Sequence, residues 1–157
     1  MEWSRVINHP LLQNLPFKIE QNKFGQLLMS PATNRHGMLQ VAVAVALSKK
    51  KKNGRVINGC SIQTSDGVKV ADVCWASDAF IAEHGDTTPY ARAPELCVEI
   101  ISPSNSRAAI NFKIELYLAR GAQKVWTVDE RGNLKIFTHT GAIKSSRLAP
   151  RFKINFK

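Results

Sequence analysis

Three side chains of this sequence carry groups that together can hold a metal or steer a proton: Asp72, Glu99 and Lys113. Both acids sit in apolar, strand-like runs. Glu99 is flanked by Leu96, Cys97, Val98, Ile100 and Ile101, and Asp72 by Val70, Ala71, Val73 and Cys74. An ionised carboxylate in such surroundings is costly unless something pairs with it. Each acid must therefore face solvent at a strand end, find a basic partner, or bind a metal. If the two strands are neighbours, the carboxylates converge on a hard divalent cation such as Mg²⁺, which takes oxygen ligands. The alternative is that each acid pairs with one of the many basic residues. Lys113 lies one helical turn after Ile110 and one before Tyr117, at the edge of an apolar stripe, from where it can reach toward Glu99. A lysine there orients a water or stabilises charge on a phosphoryl group. Its other role is a surface cation near Glu115.

The elements that must position these groups read as follows. Residues 6–15 form a short N-terminal element closed by Pro16. Phe17-Lys18-Ile19-Glu20 alternates as a half-buried strand does, turn residues follow at 22–25, and Gln26-Leu27-Leu28-Met29 completes a hairpin. Asn34 is placed to cap a helix over residues 35–52, with Met38, Val41 and Val45 as its apolar stripe. His36 and Gln40, four apart, share one face of it. Strands are expected over 55–62 and 68–75, joined by Ser65-Asp66-Gly67. Ser77 and Asp78 cap a short helix, and residues 83–94 form a loop of the length that lines sites. The strand at 96–101 leads through Pro103 into a helix over 106–119 that Gly121 stops. Strands at 123–128 and 134–137 follow. The strand–helix–strand run from 96 to 128 is long enough for a parallel crossover, so the fold class is α/β with a mixed sheet flanked by helices.

A chain of 157 residues with 44% hydrophobic content has the length of one domain and the material for a core. The longest apolar run, residues 41–47, is far short of the roughly 20 residues that span a bilayer. The first residues show no charged-then-apolar signal. Cys60, Cys74 and Cys97 are odd in number and lack zinc spacing, which points to buried, reduced thiols and a cytoplasmic location. Lys and Arg number 22 against 12 acids, a net of +10, and this favours a polyanionic partner such as nucleic acid, or an anionic membrane surface; the other reading is a solubility device with no ligand. The charge concentrates in Lys49, Lys50, Lys51 and Lys52, and in a basic tail over residues 141–157 with no acid after Glu130. A lysine run is by itself weak evidence, because it also suits a solvated helix C-terminus. There is no phosphate-binding glycine loop and no serine or cysteine nucleophile motif.

The order Asp72-Val73, then Ala93-Pro94-Glu95-Leu96-Cys97-Val98-Glu99-Ile100-Ile101-Ser102-Pro103-Ser104, then Lys113-Ile114-Glu115-Leu116-Tyr117, Gly121 and Val125-Trp126-Thr127-Val128-Asp129 resembles the Uma2 family. These are restriction-endonuclease-like proteins of the PD-(D/E)XK nuclease fold. Lys18-Ile19-Glu20, Gly25, Met29-Ser30-Pro31, His36 and Gln40 extend the resemblance to about residues 15–140. It implies a single nuclease domain with an αβββαβ core. It also implies an endonuclease that hydrolyses phosphodiester bonds in DNA with Mg²⁺ or Mn²⁺, with no membrane partner and with a homodimer left open. Asp72 and Glu99 match the metal-binding acids, with Ala71 where the family has proline. The position two residues after the second acid, a lysine in the wider fold, is Ile101; Lys113 matches a lysine moved onto the next helix. Glu20 matches an acid that adds a metal or water ligand, and His36, Gln40 and Tyr117 fall at supporting positions. A binding module that kept the fold and lost turnover is the alternative.

Overall fold

The structure, a computed structural model, describes residues 1–143. The basic residues of the expected tail, from Lys144 to Lys157, lie outside the described residues. Helix α1 (Trp3–Ile7) and a 3-10 turn (Pro10–Leu12) precede a hairpin of β1 (Phe17–Gln21) and β2 (Leu27–Pro31). Then come α2 (Asn34–Lys50), β3 (Arg55–Thr64), β4 (Gly67–Ala76), α3 (Asp78–His84), β5 (Leu96–Ile100), α4 (Arg107–Ala119), β6 (Lys124–Val128), β7 (Leu134–Thr138) and β8 (Gly141–Ile143). Strands β3 to β8 form one mixed sheet in chain order, parallel at β5–β6 and antiparallel elsewhere. The parallel pair is the crossover through α4. With α3 inserted between β4 and β5, the run from α2 to β6 is the expected αβββαβ core.

The central strands β4, β5 and β6 are buried almost throughout, and side chains on their two faces divide the core into two layers. On one face Leu39, Val43 and Leu47 of α2 pack on Val73, Trp75, Leu96, Val98, Trp126 and Val128. On the other, Ile110, Ile114 and Tyr117 of α4 pack on Cys60, Cys74, Cys97 and Val125. The three cysteines are free and buried. Trp3 and Val6 of α1 pack with Val68, and Ile19 and Val70 pack against them, which seats the hairpin beside β4. Among the described residues no helix is long and apolar enough to cross a membrane.

Three expectations are corrected. Helix α2 buries Leu39, Val43 and Leu47, while Met38, Val41 and Val45 are exposed. Both triads satisfy a helical repeat, and the set containing the two leucines buries the larger side chains. The N-cap is Thr33, whose hydroxyl accepts the His36 N–H, and Asn34 is the first helical residue. The span 141–143, expected as tail, is β8: Gly141 at φ +109° closes a turn that returns the chain along β7.

Candidate active site

The site is made where two strands part. Strands β4 and β5 pair at Trp75–Leu96, Cys74–Cys97 and Val73–Val98, and the pairing stops there. The next register positions are Asp72 and Glu99, which therefore face each other across a fork. Strand β5 continues its pairing on the other side, Glu99 with Thr127 and Ile100 with Val128 of β6. The fork leaves the Ile100 N–H without a β4 carbonyl, and Asp72 Oδ2 accepts it at 2.8 Å. A carboxylate thus replaces the missing rung of the ladder. On the partner strand Gly59, at φ +64°, lies opposite Asp72 and interrupts the β3–β4 pairs between Asn58–Val73 and Cys60–Ala71.

Each acid is buried and each is satisfied. Glu99 Oε1 accepts the Tyr117 hydroxyl at 2.6 Å and Lys113 Nζ at 3.1 Å; Oε2 accepts Lys113 at 3.1 Å and Lys18 at 3.3 Å. Asp72 Oδ1 accepts Lys18 Nζ at 3.0 Å and lies 3.3 Å from His36 Nε2. Gln40 Nε2 donates to the Asp72 carbonyl at 2.8 Å. Glu20 reaches in from β1. Its Oε1 accepts the Val70 N–H at 2.8 Å and meets Lys113 Nζ at 2.7 Å. Three acids and two lysines alternate in one cluster, with the Asp72 and Glu99 side chains each only 4% exposed. Burial pushes the Asp72 carboxyl up, but Lys18, the His36 hydrogen bond and the Ile100 N–H outweigh it and hold the group well below the usual carboxylate range. Burial pulls the Lys18 ammonium down, yet Glu99, Asp72 and Glu20 together raise it above the usual lysine range. Burial, followed by the charges of Glu99 and Glu20, pushes the Tyr117 phenol well above its ordinary value, so it stays a donor.

The structure therefore brings Asp72, Glu99, Lys113, Glu20, His36, Gln40 and Tyr117 together. It does not bring in Lys49, Lys50, Lys51 or Lys52. Lys49 and Lys50 end α2, Lys51 caps it and Lys52 follows, whereas His36 lies in its first turn, so the run lies roughly 20 Å along the helix from the site at 1.5 Å per residue. Lys51 instead lies over the Trp75 ring, 4.4 Å from its centroid. The residue that sequence reasoning missed is Lys18. The signal was present, because Lys18 and Glu20 are two apart on a strand and so point to the same side.

A family model described as "Uma2, putative restriction endonuclease" matches residues 11–149. The chain belongs to the Uma2 family. No curated protein is significantly similar in sequence. Among solved structures the chain is similar to a putative nuclease belonging to DUF820 from Anabaena variabilis ATCC 29413, a crystal structure at 1.96 Å resolution. The TM-score is 0.70 at 17% identity, over 83% of each chain. At that identity the likeness is one of fold, and it carries the mixed sheet with helices on both faces across most of this Uma2 chain. Among the described residues no group of three or more His, Cys, Asp or Glu side chains is arranged to hold a metal ion. The donor pair at the fork of this Uma2 protein nevertheless fits a hard cation. Asp72 Oδ1 and Glu99 Oε2 both point at the Lys18 ammonium, so a positive charge already bridges them.

Proposed function

We propose that this protein is a metal-dependent endonuclease that hydrolyses phosphodiester bonds in DNA, using Mg²⁺ or Mn²⁺ held by Asp72 and Glu99 with Glu20 as a further ligand. The observation that carries the reading is the fork: two buried carboxylates at opposed register positions, with a lysine beside them, in a member of a family described as "putative restriction endonuclease". Bound there, the cation would lower the pKa of a water and draw charge from the scissile phosphate. The chain's own residues prepare that chemistry. Tyr117 and Lys113 fix the orientation of Glu99, while the Ile100 N–H and His36 fix Asp72. Preorganised donors of this kind need no rearrangement when charge develops. Lys113 comes from α4, not from the position two residues past Glu99, which is Ile101. Its flexible stem lets it serve the attacking water or the phosphoryl oxygens from the helix side. The net charge of +10 supplies a sequence-independent attraction for the phosphate backbone.

A second reading has a specific observation behind it: every oxygen of the fork carboxylates is already occupied by this chain's own donors. On that reading the protein binds nucleic acid without cutting it. Incubating single-stranded and duplex DNA with Mg²⁺ or Mn²⁺, beside a chelator control and Asp72→Ala, decides between them. Metal-dependent cutting that Asp72→Ala abolishes supports the endonuclease. Salt-sensitive binding with no cutting under any metal selects the binding module.

A further inference from the structure

Lys18 is the member of the cluster with no assigned part in the chemistry. It projects from β1, where it pairs with Ser30, and its side chain is 20% exposed. Its Nζ lies 3.0 Å from Asp72 Oδ1 and 3.3 Å from Glu99 Oε2, so one ammonium bridges both carboxylates of the fork; Glu20 Oε1 is 3.9 Å away. Those oxygens belong to different strands and meet at one spot. A hard cation that used both carboxylates would need the same spot, and two positive charges cannot share it. Lys113 does not compete in this way. It approaches from α4 and closes on Glu99 and Glu20, with no contact to Asp72. The charges also favour an exchange. With Lys18 in place, three acids face two ammoniums. A divalent cation in its stead, together with Lys113, balances the three.

We propose that Lys18 is a resident counterion: its ammonium holds the place between Asp72 and Glu99 that a divalent cation takes, and metal loading displaces it. This rests on the metal-dependent reading above and deepens it. Without metal, Lys18 keeps two buried carboxylates from repelling each other, so the fork stays assembled. With metal, the lysine has somewhere to go. A cavity of about 440 Å³ adjoins the fork, lined by Phe17, Lys18, His36, Gln40 and Asp72. The lysine sits on the hairpin side of this space, next to the exposed Phe17. Metal affinity is consequently set by competition within the chain, and it is weaker than the carboxylate pair alone would give.

Two measurements on the full chain test this. In the first, an amine-reactive acylating reagent is applied to wild type in chelator and in Mn²⁺, and modification of each lysine is read by peptide mass spectrometry. Lys18 labelling should rise several-fold with Mn²⁺, while Lys49, exposed at the far end of α2, stays constant as the control. In the second, Mn²⁺ binding by Lys18→Met is measured by calorimetry. Removing a like charge from the site should tighten binding by about tenfold or more. The variant should also melt on the order of 10 °C lower than wild type in chelator, because one partner of a buried pair is gone, and regain that loss in Mn²⁺. If Lys18→Met does not fold in chelator, the labelling result alone decides. Lys18 labelling that ignores Mn²⁺, or a Lys18→Met protein that binds Mn²⁺ no more tightly than wild type, overturns the proposal. So does a wild type and variant that both fail to bind millimolar metal. Tighter binding by Lys18→Met with no DNA cleavage by either protein leaves the counterion standing and removes the nuclease. Cleavage by wild type with unchanged metal affinity in Lys18→Met does the reverse.

Discussion

Asp72 has its two oxygens committed in different directions. Oδ2 closes the broken ladder at Ile100, and Oδ1 faces Lys18 and His36. The same contacts that orient it also hold its carboxyl below the usual range, and this gives stability a pH dependence of known sign. A carboxyl whose folded pKa lies below its unfolded value, about 3.9, contributes stability that is full above that value. The contribution is lost as pH falls through the folded pKa. Thermal melts from neutral pH down to the acid limit should therefore show wild type falling steeply below about pH 4, with a flatter profile for Asp72→Asn. Parallel profiles would mean that Asp72 is not held ionised by its neighbours. At this scale much of the site was legible. An acid inside an apolar strand is an anomaly that demands a partner, and both Asp72 and Glu99 announced themselves that way. The identity of the partner was not legible, because Lys18 is one of 22 basic residues and only the hairpin's docking selects it.

The elements act as jigs for these side chains. Helix α2 carries His36, Gln40, Val43 and Leu47 along one line, so the stripe that anchors the helix to the sheet also aims two polar groups at Asp72. The hairpin is set by close approach of backbones. A Cβ at Gly67 would lie 2.4 Å from the Gln21 carbonyl oxygen, so β1 docks against the start of β4 only because that position is bare. Sequence periodicity located α2 but chose the wrong face, since the helix has two apolar stripes and nothing local separates them. Stability measurements can. Leu39→Ala, at a fully buried position, should cost about 2–5 kcal/mol in urea unfolding. Met38→Ala, one residue away and exposed, should fall within about 0.5 kcal/mol of wild type. Equal costs would contradict the packing of α2. The fork at β4–β5 lay beyond sequence reasoning for a different reason. Both strands are apolar on either side of it, and where a ladder stops is decided by tertiary pairing.

Across the whole molecule the charged groups fall into two separate places. The cluster at the fork brings three acids and two lysines together, while Lys49–Lys52 stand at the opposite end of α2. A duplex that touched both would be engaged over roughly 20 Å, or about six base pairs at 3.4 Å each. Replacing Lys49, Lys50 and Lys52 with Gln should weaken DNA binding equally for all sequences. It should also lower the slope of log affinity against log salt by up to about 0.9 per lost phosphate contact. Cleavage at saturating DNA should not change, because none of the three reaches the fork. An unaltered salt slope would show that the run is only a solvated helix end. The mixed sheet, its parallel crossover and the order of elements from β1 to β7 were readable from strand lengths, turn residues and the helix between 96 and 128, whereas β8 was not. The assembly of β1 with β4 and β5 was not, since its contacts to Asp72 and Glu99 span more than fifty residues of sequence.

Whether the fork is the catalytic centre is tested by cleavage of a linear duplex in Mn²⁺ by wild type, Asp72→Asn and Glu99→Gln, each checked for a native melt. Both replacements nearly keep the shape of the side chain, remove its charge and turn one acceptor oxygen into an amide donor. Wild type should cut in a metal-dependent way, and neither variant should cut above the chelator background. Cutting that survives in a folded Asp72→Asn or Glu99→Gln protein would contradict that role, because the fork would then not be where the chemistry occurs.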